Sequence, residues 1–181
     1  MSREGLRRLL HVGTVLVLLV PAVGSWRSLR LLLSAGVPVV LLLEIMRLRN
    51  PVVAHHLARR LPVFRPREAA RINGATWLWL GYALASWLPA AAAQGGILAG
   101  AIADPAAALV GSRWGGGVRK SWAGTMAACG ATVGALLIAG SGWLPAMVSG
   151  LAAGALERWS GSLDDNLVLA PGVGTCLFLL S

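Results

Sequence analysis

Long apolar runs separated by short polar clusters are the feature that most narrows what this chain can fold into. A membrane-crossing helix needs about 20 mostly apolar residues, with about 17 tolerated. Runs near 9–25, 28–46, 74–92, 95–112, 121–140, 143–157 and 167–180 reach or approach that length. With 56% hydrophobic residues and a mean hydropathy of +0.70, a soluble domain of 181 residues would lack the polar residues to coat itself, so a bilayer is the expected solvent. The expectation is one all-α membrane domain over 1–181, a polytopic bundle of about seven transmembrane helices. The first run follows Arg7 and Arg8 as the core of a signal peptide does. Pro21, Gly24 and Ser25 lead into further apolar runs, however, so a retained first span is expected. Gly and Ala are frequent from 91 to 154, which lets membrane helices approach closely.

Sixteen basic residues against seven acidic leave a net charge of +9. The arginines fall between apolar runs and form no basic stripe interleaved with aromatics, so nucleic acid is not the expected partner. Basic residues mark cytoplasmic loops. Seven arginines from Arg47 to Arg71 put that stretch inside, and alternation then places the N-terminus, 112–120 and 157–166 on the same side. Only Arg27 and Arg30 disagree. Lys120 is the sole lysine. The bias to Arg, Ala and Gly indicates a GC-rich, prokaryotic genome and hence an inner-membrane protein. Cys129 and Cys176 lie far apart in apolar runs and read as small buried hydrophobes. The segment 50–70 reads as an amphipathic helix on the membrane surface, with Val52, Val53, Leu57, Leu61 and Phe64 opposed to His55, His56, Arg59, Arg60 and Arg67. Adjacent residues diverge by about 100° on a helix, so His55 and His56 make poor metal co-ligands.

Asp104 lies deep in an apolar run, where a charge costs about 2.5–3.5 kcal/mol on insertion scales. Two roles fit it: an ion pair with an arginine from another span, or a metal ligand or base. Pro105 loosens the helix beside it. Next comes GSRWGGGVRKS over 111–121. Its glycines Gly111, Gly115, Gly116 and Gly117 leave backbone N–H groups free to face an anion, while Arg113, Arg119 and Lys120 add positive charge. Ser121 opens the next helix, where phosphate is favoured. The spacing is not that of a P-loop. A third cluster, Glu157, Asp164, Asp165 and Asn166, supplies hard oxygen ligands suited to Mg²⁺, although a Leu-Asp-Asp-Asn turn is also an ordinary helix start. Anion cradle, cations and metal ligands together are the equipment of phosphoryl or nucleotidyl transfer.

These motifs in this order, DPAAALVGSRWG (104–115), KSWAGTMA (120–127), Glu157 and LDDNLVLAP (163–171), resemble the dolichol kinase, phytol kinase and CTP-dependent diacylglycerol kinase group, which is related to the phosphatidate cytidylyltransferases. RRLLH (7–11) and REAARINGATWLWLGYAL (67–84) are similar to its upstream segments. The resemblance implies a multi-pass enzyme that passes the γ-phosphate of CTP to a lipid alcohol with Mg²⁺ or another divalent cation. It implies a nucleotide and metal site from Asp104, Lys120, Glu157, Asp165 and Asn166, approached by Arg7 and Arg8. Gly111, Gly115 and Gly124 would give backbone room, and His11 and Asn73 would stand on the lipid-substrate side. Pro105, Ala123 and Arg8 depart from the group, which more often has a small polar or alanine residue, an acid and a lysine there. Two other readings stay open, a cytidylyltransferase forming a CDP-lipid and a small non-enzymatic transporter or lipid-binding protein. The lipid and the oligomeric state, a homo-oligomer included, have no readable signature.

Overall fold

The computed structural model describes residues 3–60, 70–116, 120–160 and 163–181. All regular structure among them is helical. Helix α1 spans Arg3–Gly13, passes through a 3₁₀ turn at Thr14–Leu18 and continues as α2, Leu19–Val23. The turn tightens where the Thr14 hydroxyl donates to the His11 carbonyl at 2.6 Å, a local bond that competes with the helical ladder. Then follow α3 (Trp26–Arg49), α4 (Pro51–Arg60), α5 (Gly74–Ala85), α6 (Ala90–Trp114), α7 (Trp122–Ile138), α8 (Trp143–Trp159) and α9 (Asp165–Leu179).

Their starts follow from side-chain caps, which satisfy N–H groups that the first turn leaves open. Ser25 accepts from Ser28 N–H, Asn50 from Val52 and Val53 N–H, Asn73 from Ala75 N–H, Ser121 from Gly124 N–H and Asp164 from Asn166 N–H. Pro51 takes the first position of α4, where its missing donor costs nothing.

The seven-span expectation is overturned. Among the described residues three helical segments are long and apolar enough to cross a membrane: Glu4–Val23, Trp26–Arg49 and Ala90–Trp114. Helices α7 and α9 are apolar but shorter. At 12 residues, α5 extends only about 18 Å, and the 15 residues of α9 about 22 Å, against a hydrocarbon core of about 30 Å. The apolar run 74–92 misleads because Trp87, Leu88 and Pro89 form a turn. There Ser86, Trp87 and Leu88 N–H groups donate back to Tyr82, Leu84 and Ala85, and the Ser86 hydroxyl to Ala83. With three long helices, the in-and-out alternation that oriented the loops no longer follows. Within the segment 50–70, expected to be a helix on the membrane surface, a helix forms over Pro51–Arg60 as α4, and 61–69 lie outside the described residues. Cys129 and Cys176 are free thiols, each partly exposed.

Helix α6 is the central element, packed most extensively against α7 and α9. Alanines of α6 and α7 mesh with Leu169, Val173 and Leu177 of α9 in one buried cluster. In a second, Leu29 and Leu33 of α3 and Leu78 and Tyr82 of α5 close on Ile97, Ala101 and Ala170. At Gly96 the backbones of α6 and α9 touch: a Cβ there would collide with the Ala170 carbonyl oxygen and come within 3.0 Å of Gly174. Gly96→Ala is therefore expected to cost about 1–3 kcal/mol, as overpacking does. Gly130→Ala, where an added methyl meets nothing within 4 Å, should be neutral or stabilising through helix propensity. Thermal unfolding of the detergent-solubilised variants checks the pair, and equal melting temperatures would refute the close α6–α9 approach.

Candidate functional site

Lys120 stands one residue before the Ser121 cap of α7, and its ammonium reaches across to the α8–α9 junction. It donates to the Glu157 carbonyl oxygen, to Ser160 Oγ at 3.2 Å and to Asp165 Oδ2 at 3.1 Å. A cation belongs there, since the last carbonyls of α8 present the negative end of its dipole. Arg158 completes the arrangement from the outer side. Its guanidinium lies 3.8 Å from the Trp122 ring centroid and donates to the Lys120 carbonyl at 3.4 Å.

Glu157, from the last turns of α8, turns its side chain inward. Its Oε2 lies 3.1 Å from Thr125 Oγ1, a hydroxyl that is also 3.2 Å from the Ser121 carbonyl; the single proton serves one acceptor at a time. Burial pushes the Glu157 carboxyl above the usual carboxylate range, while Lys120 and Thr125 pull it down and the charges of Asp165 and Asp104 add to the push. Asp164 behaves likewise. Desolvation raises it, helped by the neighbouring charge of Asp165 and that of Asp104, against two hydrogen bonds from Asn166.

Asp104 projects from the middle of α6 toward α1, its Oδ2 3.6 Å from His11 Nδ1. The other ring nitrogen of His11 is 3.1 Å from the Gly100 carbonyl. A carbonyl only accepts, so Nε2 is assigned the proton, and Nδ1 bonds to Asp104 only in the doubly protonated ring. The charge of Asp165 also reaches His11. Tyr82 OH lies 2.8 Å from Thr14 Oγ1 beside this pair.

Asp104, Lys120, Glu157, Asp164, Asp165 and His11 thus act on one another, although they come from α1, α6, α8, α9 and the turns before α7 and α9. Asn166 joins them with its Oδ1 buried and without a hydrogen-bond partner. Arg7 lies nearby, close enough for its charge to act on His11, and is held by Glu4 at 2.6 Å. Arg8 shares Glu4 at 3.8 Å, with its Nε buried and lacking a hydrogen bond.

Other expected residues lie differently. Gly111 and Arg113 are not in a loop, because α6 runs on to Trp114; Gly115 N–H is spent on the Gly111 carbonyl at 2.9 Å. Arg113 sits over the Trp114 ring at 5.4 Å. Gly116, at φ 62°, makes the left-handed turn that glycine favours. Gly117 and Arg119 lie outside the described residues. Gly111 packs on Gly124, so these glycines serve helix contact at that point. Asn73 belongs to a separate buried cluster: its N–H donates to Glu44 Oε1 at 2.6 Å, Glu44 pairs with Arg47 at 2.8 Å, and Arg47 donates to the Arg71 carbonyl at 2.6 Å. Glu44, Arg47, Thr125, Ser160 and Arg158 were not anticipated. Glu44 and Arg47 carry a readable signal, an acid and a base three apart at the end of an apolar helix.

Among the described residues no group of three or more His, Cys, Asp or Glu side chains is arranged to hold a metal. Mg²⁺ beside nucleotides is usually held in another way, by one or two carboxylates with substrate phosphates and water. The unpartnered Asn166 Oδ1, next to Asp164 and Asp165, is a hard oxygen of the right kind. The chain matches no protein-family model, and comparison with curated proteins and with solved structures finds no match.

A group whose value is raised on folding contributes stability that is fully present below its unfolded value, about 4 for Asp, and is lost as pH rises through the folded value. Asp164→Asn keeps an oxygen for the Asn166 N–H and removes the charge. The variant is expected to melt a few degrees above wild type at pH 7.5, with the gap closing below pH 4. A lower melting temperature for the variant at pH 7.5 would contradict the desolvated setting of Asp164.

Proposed function

We propose that the chain is a CTP-dependent lipid-alcohol kinase of the inner membrane of a prokaryote, with its polar site and N-terminus on the cytosolic side. The observation that carries the reading is the convergence of Lys120 with Asp104, Glu157, Asp164 and Asp165 from four separate parts of the chain. Scattered residues that meet this way fit phosphoryl transfer, where positioning and charge neutralisation dominate. The order of the motifs, similar to that of the polyprenol and diacylglycerol kinases, selects CTP and a lipid hydroxyl. The arginine-rich stretch 47–71 supports the cytosolic side.

In this reading Lys120, with Arg7 and Arg8, holds the triphosphate. Asp164, Asp165 and Asn166 are the residues that would hold Mg²⁺, which when bound offsets charge on the phosphate oxygens. Asp104, beside His11, orients the alcohol and accepts its proton. The hydroxyl oxygen forms a bond to the γ-phosphorus, the bond from that phosphorus to the bridging oxygen breaks, and CDP departs with the electron pair.

The test is purified protein in liposomes, offered a panel of lipid alcohols (polyprenol, dolichol, diacylglycerol, phytol, farnesol) and labelled nucleotides. Lipid phosphate and CDP in equal amounts are expected. Asp104→Asn and Lys120→Met should each lower turnover by about 100-fold or more while the protein still inserts. Pyrophosphate and a CDP-lipid, formed when a lipid phosphate is offered as acceptor in a parallel reaction, would instead identify cytidylyl transfer. Unchanged turnover in Asp104→Asn would remove the assigned base.

A further inference from the structure

The chain leaves α3 at Arg49 and, after the single residue Asn50, enters α4. Because α3 is long and apolar enough to cross a membrane, α4 begins where such a helix reaches the headgroup layer. Asn50 has an extended backbone, φ −123° and ψ 108°, so the chain turns there instead of continuing the span. Val53 and Leu57, four apart on one side of α4, are partly buried, and α4 packs against α3.

The exposed surface of α4 carries its basic residues. His55, His56, Arg59 and Arg60 are all exposed and together line a half-open cavity of about 450 Å³. His55 with Arg59 and His56 with Arg60 are four apart, hence neighbours on the helix surface. No acid occurs between Glu44 and Glu68, and Glu44 is committed to Arg47 and Asn73. Arg59 and Arg60 both line that cavity, and a planar fork of donors is suited to phosphate oxygens. We propose that this face of α4 binds the phosphate of an anionic phospholipid headgroup. The occupant follows from position: the cavity sits at the end of a membrane-length helix, where headgroup phosphates are the concentrated anion. The site is separate from the proposed phosphotransfer site and does not depend on it.

The full chain, purified in neutral detergent, would be titrated with fluorescent phosphatidylglycerol and, in parallel, with fluorescent phosphatidylcholine. Preference for phosphatidylglycerol is expected. Each arginine near an anionic surface contributes about fivefold, so R59Q/R60Q should bind phosphatidylglycerol roughly 25-fold more weakly. R59K/R60K should stay within about threefold of wild type, keeping the charge without the fork. Arg27→Gln, an exposed arginine at the other end of α3, should leave binding unchanged. If R59Q/R60Q does not survive purification, Arg60→Gln alone should show about a fivefold loss. Equal binding of the two lipids, or wild-type affinity in R59Q/R60Q or in Arg60→Gln, overturns the proposal. Displacement of the lipid by equimolar inorganic phosphate overturns it in favour of a soluble phosphate ligand.

Discussion

The ammonium of Lys120 fastens three helices at one point. It has three N–H donors, and the Glu157 carbonyl, Ser160 Oγ and Asp165 Oδ2 take all of them. One acceptor closes α8, another opens α9, and the lysine itself precedes α7. Arg158 grips the lysine from the other direction, through its carbonyl and through the ring of Trp122, which meets Trp159 edge-on at 6.3 Å. An anion that engages Lys120 has to displace one of these acceptors. In the proposed kinase reading, ligand binding would thus be coupled to the α7–α8–α9 junction, with Asp165 the acceptor that a phosphate would displace from Lys120.

Around that junction the chain tolerates an excess of negative charge. Asp164 and Glu157 both have raised values because burial and neighbouring carboxylates act in the same direction. Stability alone would favour removing such charges, since a desolvated carboxylate beside others is costly. These charges stand beside a buried Asn166 oxygen without a hydrogen-bond partner, and strained electrostatics of this kind is more common at functional sites than elsewhere. The Glu44–Arg47–Asn73 cluster is the contrast. There one acid meets one base and two further donors or acceptors, which fits a structural clamp between α3 and the start of α5.

Much of the helix order was legible in the sequence because apolar runs and cap residues coincide: Ser25, Asn73, Ser121 and Asp164 each precede a helix that they cap. What composition could not supply was length. Trp87, Leu88 and Pro89 are as apolar as the helix before them, yet they form a turn, so hydropathy merged α5 with the start of α6 and overstated the number of spans. The same limit hid the end of α6. Gly111 and Arg113 read as loop residues by type, but the helix runs through them because its carbonyls keep finding partners as far as Gly115 N–H. At the site, a charge in an apolar run exposed Asp104, and the glycine-rich basic stretch 111–121 exposed Lys120. Ser160 and Thr125 are ordinary hydroxyls whose roles exist only once α8 folds back against α7. Asn73 went the other way: motif order set it beside the lipid, while its hydrogen bonds place it with Glu44.

The small residues of α6 connect packing to chemistry. Gly96 lies against the backbone of α9, and Gly100 is within 3.1 Å of the Ala170 side chain when a Cβ is imagined on it. Asp104 continues the same stripe one turn later, so the spacing that lets α6 and α9 touch also sets the distance between Asp104 and the start of α9. Larger residues at Gly96 and Gly100 would lever the helices apart and carry Asp104 away from Asp164, which feels its charge. Close packing of small residues lets the two helix backbones approach and gives them dispersion contact along their length. The alanine and glycine content that looks like genomic bias is thus also the means by which one carboxylate in the middle of an apolar helix is kept within electrostatic reach of the others.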